Sequence, residues 1–355
     1  MGLLTSWATV SMRAILVSAY GTAADALHYT EDFKMPRPKR GEVLVRQLAS
    51  SVNIIDIARR SGYGRQVFEL RYGVRLPFIP GEDVCGVVET VGRGVQGFRK
   101  GDLVFGAKPP CRFGSYAEFV TVGADHLAPA PSSMEAGALA TMPYSFLTAW
   151  TALVGSSGMK PGDFAGKKVF VQGGAGAVGS MAVQIAKRFG AEVAVSCSGD
   201  DTDYARRIGA SVVFDRRADH YAAELSDYDV ALCTADPSEE MQMLSILKRR
   251  GSLYATVIHP TLTLVDQHGI LAGLWKARQT RRAAMQTSEG KGRRIEWVLF
   301  EPSREGLDTL SAMCTEGAMI TPKIAQHFPL EEAASAHLAV EAGSRGKVVL
   351  DIGSP

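Results

Sequence analysis

Gly174, Gly176 and Gly179 stand in the spacing Gly-x-Gly-x-x-Gly, directly behind the run Val169-Phe170-Val171-Gln172-Gly173. That run, apolar and partly β-branched, reads as a buried strand. Residues 180–189 then place Ala182, Ile185, Ala186 and Phe189 on one helical face. Glycines between a strand and a helix permit a tight turn, close backbone approach to a pyrophosphate and close packing of helix on sheet. The free N–H groups at the helix start face the phosphates, and the helix dipole favours their negative charge. Ser198 lies near the place, ~20 residues past the glycines, where an acid would bind the ribose 2′-hydroxyl of NAD. A serine hydroxyl there accepts a 2′-phosphate without repelling it. Arg216 supplies positive charge and a forked donor, so the pair predicts NADPH over NADH. Asp200 and Asp201 are read as the start of the next helix, where acids are favoured.

The elements that must position these residues repeat in order. Residues 192–196 read as a second strand, 203–208 as a helix and 212–214 as a third strand. Residues 228–233, 251–258 and 296–300 continue as strands, 306–313 as a helix and 347–352 as a final strand. This is the α/β rhythm of a parallel, Rossmann-type sheet. The first 130 residues differ. Strands are predicted at 13–18, 42–48, within 77–92, at 101–104 and at 114–120, with a turn around Pro36-Arg37-Pro38 and glycine turns between the later strands. That pattern belongs to a β-rich, barrel-like domain. Helical spacing begins near Met134.

With 355 residues, the chain exceeds what one hydrophobic core usually organises, so two domains are expected. Apolar residues make up 46% and the net charge is +2, which gives no global case for nucleic-acid binding. Five scattered cysteines form no Cys-x-x-Cys pair, and seven histidines form no His-x-x-x-His pair, so neither a disulfide framework nor a structural zinc is expected. No apolar run reaches the ~18 residues of a membrane helix. Residues 1–12 lack acids, resembling a targeting remnant, and Met1-Gly2-x-x-x-Ser6 fits a myristoylation pattern. An untidy N-terminal extension is the plainer reading. Lys276, Arg278, Arg281, Arg282, Lys291, Arg293 and Arg294, with Trp275 and Trp297, form a basic stretch. It reads as a solvated loop and helix face, with contact to an anionic membrane or partner as the alternative.

The block Gly81-x-Asp83-x-x-Gly86-Val87-Val88-x-x-Val91-Gly92 resembles the signature of the medium-chain dehydrogenase/reductase superfamily. The segments Ser51-Val52-Asn53-x-Ile55-Asp56, Arg60-Ser61-Gly62-Tyr63-Gly64, Met142-Pro143-Tyr144, Leu147-Thr148-Ala149-Trp150 and Arg345-Gly346-Lys347 extend the likeness to its zinc-free quinone oxidoreductase branch. The resemblance implies a GroES-like catalytic domain over residues 1–139 and 303–355, and a Rossmann domain over 140–302. It also implies a mitochondrial matrix location; otherwise a cytoplasmic one is expected, and secretion is not, since the scattered cysteines suit a reducing compartment. The zinc-ligand positions of the superfamily's alcohol dehydrogenases fall near Asn53, Glu82 and Tyr144, which are not a catalytic zinc set. No metal is therefore expected.

By the same resemblance, Ala175, Ala177 and Val178 meet the pyrophosphate or the nicotinamide ribose through the backbone. Thr234, Val257, Val298 and Phe300 surround the nicotinamide, and Ser344 and Arg345 close over the cofactor. Two departures stand out. Cys233-Thr234-Ala235-Asp236-Pro237 replaces the family's Asp-x-x-Gly-Gly, and Arg216 matches a tyrosine over the adenosine phosphate. Asn53 and Tyr63 are the catalytic candidates, Tyr63 resembling the proton-donating tyrosine of enoyl reductases. The implied activity is hydride transfer from NADPH to a quinone or similar conjugated carbonyl. An enoyl-thioester or enone reductase is the second reading, and an NADPH-binding scaffold or sensor the third. The expected partner is a small-molecule acceptor. A homodimer and peripheral membrane contact stay open.

Overall fold

The structure, a computed structural model, describes residues 10–155, 158–287 and 291–353. Met1, Gly2 and Ser6, and with them most of the targeting-like and myristoylation-like segment, lie outside the described residues. In chain order the strands are β1 (Ser11–Val17), β2 (Leu27–Lys34), β3 (Glu42–Val52), β4 (Asp83–Val91), β5 (Leu103–Ala107), β6 (Phe119–Gly123), β7 (Leu127–Pro129), β8 (Lys168–Gln172), β9 (Glu192–Cys197), β10 (Val212–Asp215), β11 (Val230–Cys233), β12 (Leu253–Thr256), β13 (Arg294–Trp297), β14 (Ile324–Pro329) and β15 (Lys347–Asp351). The chain divides into two units, one of Met1–Tyr144, Leu307–Thr315 and Lys323–Pro355, the other of Ser145–Gly306 and Glu316–Pro322.

The first unit is β-rich and GroES-like. Its main sheet runs β14-β15-β3-β4-β5-β7, with β6 also paired to β3. The long β3 meets β4 along one edge and shares the other between β6, over residues 42–46, and β15, over residues 49–52. Register shifts after Leu44 and Gln47 bend it, as β-bulges do, so one strand serves both ends of a curled sheet. Inside lie Val43, Val45, Val84, Val88, Val104 and Val120, whose branched side chains suit a pleated, buried surface.

The second unit carries a wholly parallel six-stranded sheet in the order β10-β9-β8-β11-β12-β13. Strand order reverses at β8, so the crevice beyond its carboxyl end is the topological switch point where ligands of such sheets bind. Phe170 anchors the core with its ring 4.4 Å from that of Tyr221. From 316–322, Ile320 exchanges two hydrogen bonds with the buried Gln184 amide, at 2.8 and 3.0 Å.

Several expected boundaries move. The helix after the glycines begins at Ala177, not at 180, so the motif's own tail makes its first turn. The strand expected at 114–120 is β6. Gly114 instead packs on the Pro80 and Gly81 carbonyls, where a Cβ would stand 2.4 and 2.5 Å from oxygen, and this holds the chain out of the sheet until 119. The strand expected at 296–300 is β13, its last ladder bond running from Val298 N–H to the Thr256 carbonyl. Before the 36–38 turn lies β2, hidden in the sequence because it buries little beyond Leu27. Much of the basic stretch is one helix, Ile270–Gln286.

Candidate active site

In the second unit the glycine turn is built by what cannot fit. A Cβ on Gly179 would lie 2.1 Å from the Gly173 carbonyl oxygen, and one on Gly174 would lie 2.5 Å from Val195 Cβ on β9. Gly176 sits at the N-cap of the helix Ala177–Arg188, with no side chain capping it. The first N–H groups of a helix have no intrahelical acceptor, so Ala177, Val178 and Gly179 present donors beside Ala175 at the end of β8. This cradle fits a pyrophosphate.

Pairing of β9 with β10 brings the adenosine-end candidates together. Cys197 and Asp215 are register partners, and Arg216 N–H donates to the Cys197 carbonyl at 2.9 Å. Ser198, half-buried, is the next residue along, and Arg216 is exposed beside it. Burial pushes the Cys197 thiol up to about 11, the charges of Asp201 and Asp215 add to this, and Arg206 and Arg216 oppose it. Asp215 also lies here: a Cβ on Gly199 would be 2.4 Å from its Oδ2. Sequence reading missed Asp215, because only the β9–β10 register places it beside Cys197.

Thr234, Val257 and Val298 follow the carboxyl ends of β11, β12 and β13 in turn, with Phe300 two residues beyond Val298. The altered loop after β11 has its own lock. Buried Gln172, the last residue of β8, donates from Nε2 to the Asp236 carbonyl and accepts the Asp236 N–H at Oε1, each at 2.9 Å. It also accepts the Cys233 thiol, and Thr234 Oγ1 donates to the Gln172 carbonyl at 2.7 Å. One amide thus ties the end of β8 to the loop after β11.

The first unit holds a buried polar cluster. Asn53 begins the helix Ile54–Arg60, and its N–H donates to Asp56 Oδ2 at 2.8 Å. Asp83 is fully buried. It accepts from Ser51 Oγ at 2.6 Å and Asn53 Nδ2 at 2.8 Å on one oxygen, and from Tyr144 N–H at 2.7 Å on the other. Lys347 Nζ donates to Asn53 Oδ1 at 2.6 Å and stands 3.8 Å from Asp83. Burial pushes Asp83 up and Lys347 down, and their mutual attraction opposes both shifts. Glu82 pairs with buried Arg59, and burial beside Asp56 raises the Glu82 carboxyl. Its other oxygen has no hydrogen-bond partner among the described residues.

These contacts bear on the superfamily's zinc positions. The Asn53 amide is held by a lysine and a carboxylate, and Glu82 neutralises a guanidinium. An amide, an arginine-bound carboxylate and a phenol do not fit zinc. Among the described residues no group of three or more His, Cys, Asp or Glu could hold a metal ion.

Tyr63, half-buried, sits between Gly62 at φ +93° and Gly64 at φ +71°, just past the other end of the Asn53 helix. Its N–H donates to the Ala58 carbonyl at 2.9 Å. About 10 Å of helix separates it from Asn53, so the two are not neighbours. Ser344 and Arg345 occupy the first unit's loop between the helix Ala333–Glu341 and β15. Asp83, Glu82, Arg59 and Lys347 were not singled out as site residues from the sequence. Only the Gly-Glu-Asp block at 81–83 and the Gly-Lys pair at 346–347 hinted at them.

Comparison with known proteins agrees with this architecture. Residues 39–132 match the alcohol dehydrogenase GroES-like domain, and residues 208–350 match the zinc-binding dehydrogenase family. The chain is 32% identical to NAD(P)H oxidoreductase RTN4IP1, mitochondrial, of both Bos taurus and Homo sapiens, over 98% of this chain and 91% of the relative. The quinone oxidoreductase of Coxiella burnetii superposes with a TM-score of 0.77 at 24% identity, covering 97% of this chain and all of the other. A mycobacterial structure complexed with NADPH, Rv1454c, gives a TM-score of 0.70 at 25% identity, over 96% of this chain and 99% of that one. The chain therefore belongs to the medium-chain dehydrogenase/reductase superfamily, as an NAD(P)H oxidoreductase related to RTN4IP1.

Proposed function

We propose that the protein is a zinc-independent, NADPH-dependent reductase that passes hydride to a quinone or a similar conjugated carbonyl. The observation that carries the NADPH reading is Arg216, backbone-bonded to Cys197 beside Ser198, where an NAD site would place an acid. When bound, NADPH supplies the hydride. Gly174, Ala175, Gly176, Ala177, Val178 and Gly179 hold its pyrophosphate, and Ser198 and Arg216 its 2′-phosphate. Thr234, Val257, Val298 and Phe300 flank the nicotinamide, and the family resemblance assigns Ser344 and Arg345 of the first unit to the same cofactor. Asn53, fixed by Lys347 and Asp83, keeps one amide hydrogen for an acceptor oxygen. The donor set at Asn53, Glu82 and Tyr144 supports an acceptor that needs no Lewis acid, which favours quinones and enones over alcohols. The mitochondrial names of the relatives support a mitochondrial location.

Enoyl-thioester reduction is the second reading, favoured by Tyr63 in its glycine-flanked loop. The Gln172 lock on the Cys233–Asp236 segment supports a working nicotinamide end rather than a scaffold. The test is NADPH and NADH oxidation across a panel of quinones, enones and enoyl thioesters. Turnover of quinones with NADPH preferred is expected. No turnover of any acceptor would overturn the reading in favour of a scaffold.

A further inference from the structure

The helix Ile270–Gln286 shows solvent a stripe that a soluble enzyme has no internal use for. Its sequence, ILAGLWKARQTRRAAMQ, contains four cations and no acid over 17 residues. Leu271 is 86% exposed, Trp275 61%, Met285 40% and Leu274 39%. At 3.6 residues per turn, Leu271, Leu274, Trp275, Arg278, Arg282 and Met285 fall within an arc of about 100°. They form one continuous stripe rather than scattered apolar residues, which would need no explanation.

The packing of the helix fixes this face outward. Gly273 and Ala277 are buried on another side, and a Cβ on Gly273 would lie 2.4 Å from Val265 Cα on the helix Thr261–His268. Arg281 holds the helix to β13, bonding the Ile295 carbonyl at 2.9 Å and Glu296 at 3.0 Å. With that contact in place the helix cannot roll to hide its stripe. Arg278 and Arg282, in contrast to Arg281, have no hydrogen-bond or ion-pair partner among the described residues.

We propose that this stripe docks the enzyme on an anionic lipid surface. A tryptophan beside leucines and long arginines is the composition of a helix lying in a membrane interface. The rings and alkyl chains enter the acyl boundary while the guanidinium groups reach lipid phosphates. Charge decides against a second copy of the chain. Two such stripes face to face would set Arg278 and Arg282 against their counterparts, with no acid on the helix to neutralise them.

The test uses the full chain with vesicles of phosphatidylcholine alone and of phosphatidylcholine mixed with phosphatidylglycerol. Co-sedimentation should occur with the anionic vesicles, fall with added salt and be weak on neutral ones. A basic residue at an anionic surface is worth about fivefold in partitioning, so Arg278→Ala with Arg282→Ala should weaken binding by about 25-fold. Trp275→Ala with Leu271→Ala should also release the protein. Lys276→Glu, on the far side of the same helix, should have a smaller effect than Arg278→Glu. Lipids brominated in the acyl chain should quench Trp275 fluorescence, an effect lost in Trp275→Phe. Quinone turnover in detergent-free buffer, or thermal melting where there is none, should be unchanged in these variants, which separates docking from folding and chemistry. The proposal would be overturned by equal affinity for neutral and anionic vesicles, by binding indifferent to Arg278 and Arg282, or by a dimer in sedimentation that Trp275→Ala dissociates. Binding of acidic polypeptides but not of anionic vesicles would transfer the surface to a protein partner and equally refute it.

Discussion

Lys347 Nζ lies 2.6 Å from Asn53 Oδ1, 294 residues away in the chain, and 3.8 Å from the Asp83 carboxylate that holds the other end of the same amide. β15 brings them together through its antiparallel pairing with the end of β3, in which Val348 lies opposite Val52. Lys347→Met leaves Asp83 buried without its cation, a loss of about 3–5 kcal/mol for such pairs. Denaturant unfolding should show that loss. The double variant with Asp83→Asn should be less destabilised than the two single losses added together. Simple additivity would mean that the two charges are not coupled.

Gly179→Ala tests the cradle. The added methyl meets the Gly173 carbonyl at 2.1 Å and must push the turn away from the helix. Overpacking of this kind costs about 1–3 kcal/mol. NADPH affinity in a fluorescence titration should fall along with the melting temperature. Gly162→Ala, with nothing within 4 Å of the new Cβ, is the control and should change neither.

Arg216→Ala should separate the two cofactors. Losing a charge-assisted hydrogen bond costs about 1.5–3 kcal/mol, so NADPH binding should weaken at least tenfold. NADH, without the 2′-phosphate, should bind nearly as before. A parallel loss for both cofactors would remove Arg216 from the phosphate site and leave Arg206 to be tested.

His337 should set an acid limit on stability. It is fully buried against Tyr116, ring centroids 5.8 Å apart, and neither ring nitrogen has a hydrogen-bond partner among the described residues. Burial pushes it down to about 4, with Arg60 adding to the shift and Asp56 and Glu341 opposing it. The unfolded imidazole titrates near 6.5. The folded value is depressed, so the contribution is present above the unfolded pKa and is lost as pH falls toward about 4. Over that window the loss is about 3 kcal/mol. Urea unfolding of wild type and His337→Leu between pH 7 and 5 should show the variant losing less stability on acidification. Parallel curves would refute this.

Tyr63→Phe distinguishes the two reductase readings. An enoyl thioester needs a proton at the carbon next to the carbonyl, and a positioned acid contributes about 10²–10⁴-fold. A hydroquinone anion takes its proton from water. A large fall in kcat for an enoyl substrate with the quinone rate kept would assign Tyr63 as a donor. Small, equal effects would make it a packing residue.

The sequence by itself determined the glycine turn and the alternating strands and helices of the parallel sheet. Each of these is local. A glycine is required by contacts a few residues away, and a buried strand announces itself by consecutive apolar side chains. The strand β2 escaped because a mostly exposed ribbon leaves no such trace. What the fold alone decided is which polar groups meet. Gln172 finds the Asp236 loop because β8 lies beside β11, and Asp215 and Arg216 meet Cys197 because β10 lies beside β9. Asn53, Asp83 and Lys347 meet only through the shared edges of β3. A buried lysine or carboxylate is tolerable only with a partner, and strand register, which no local pattern encodes, chooses that partner.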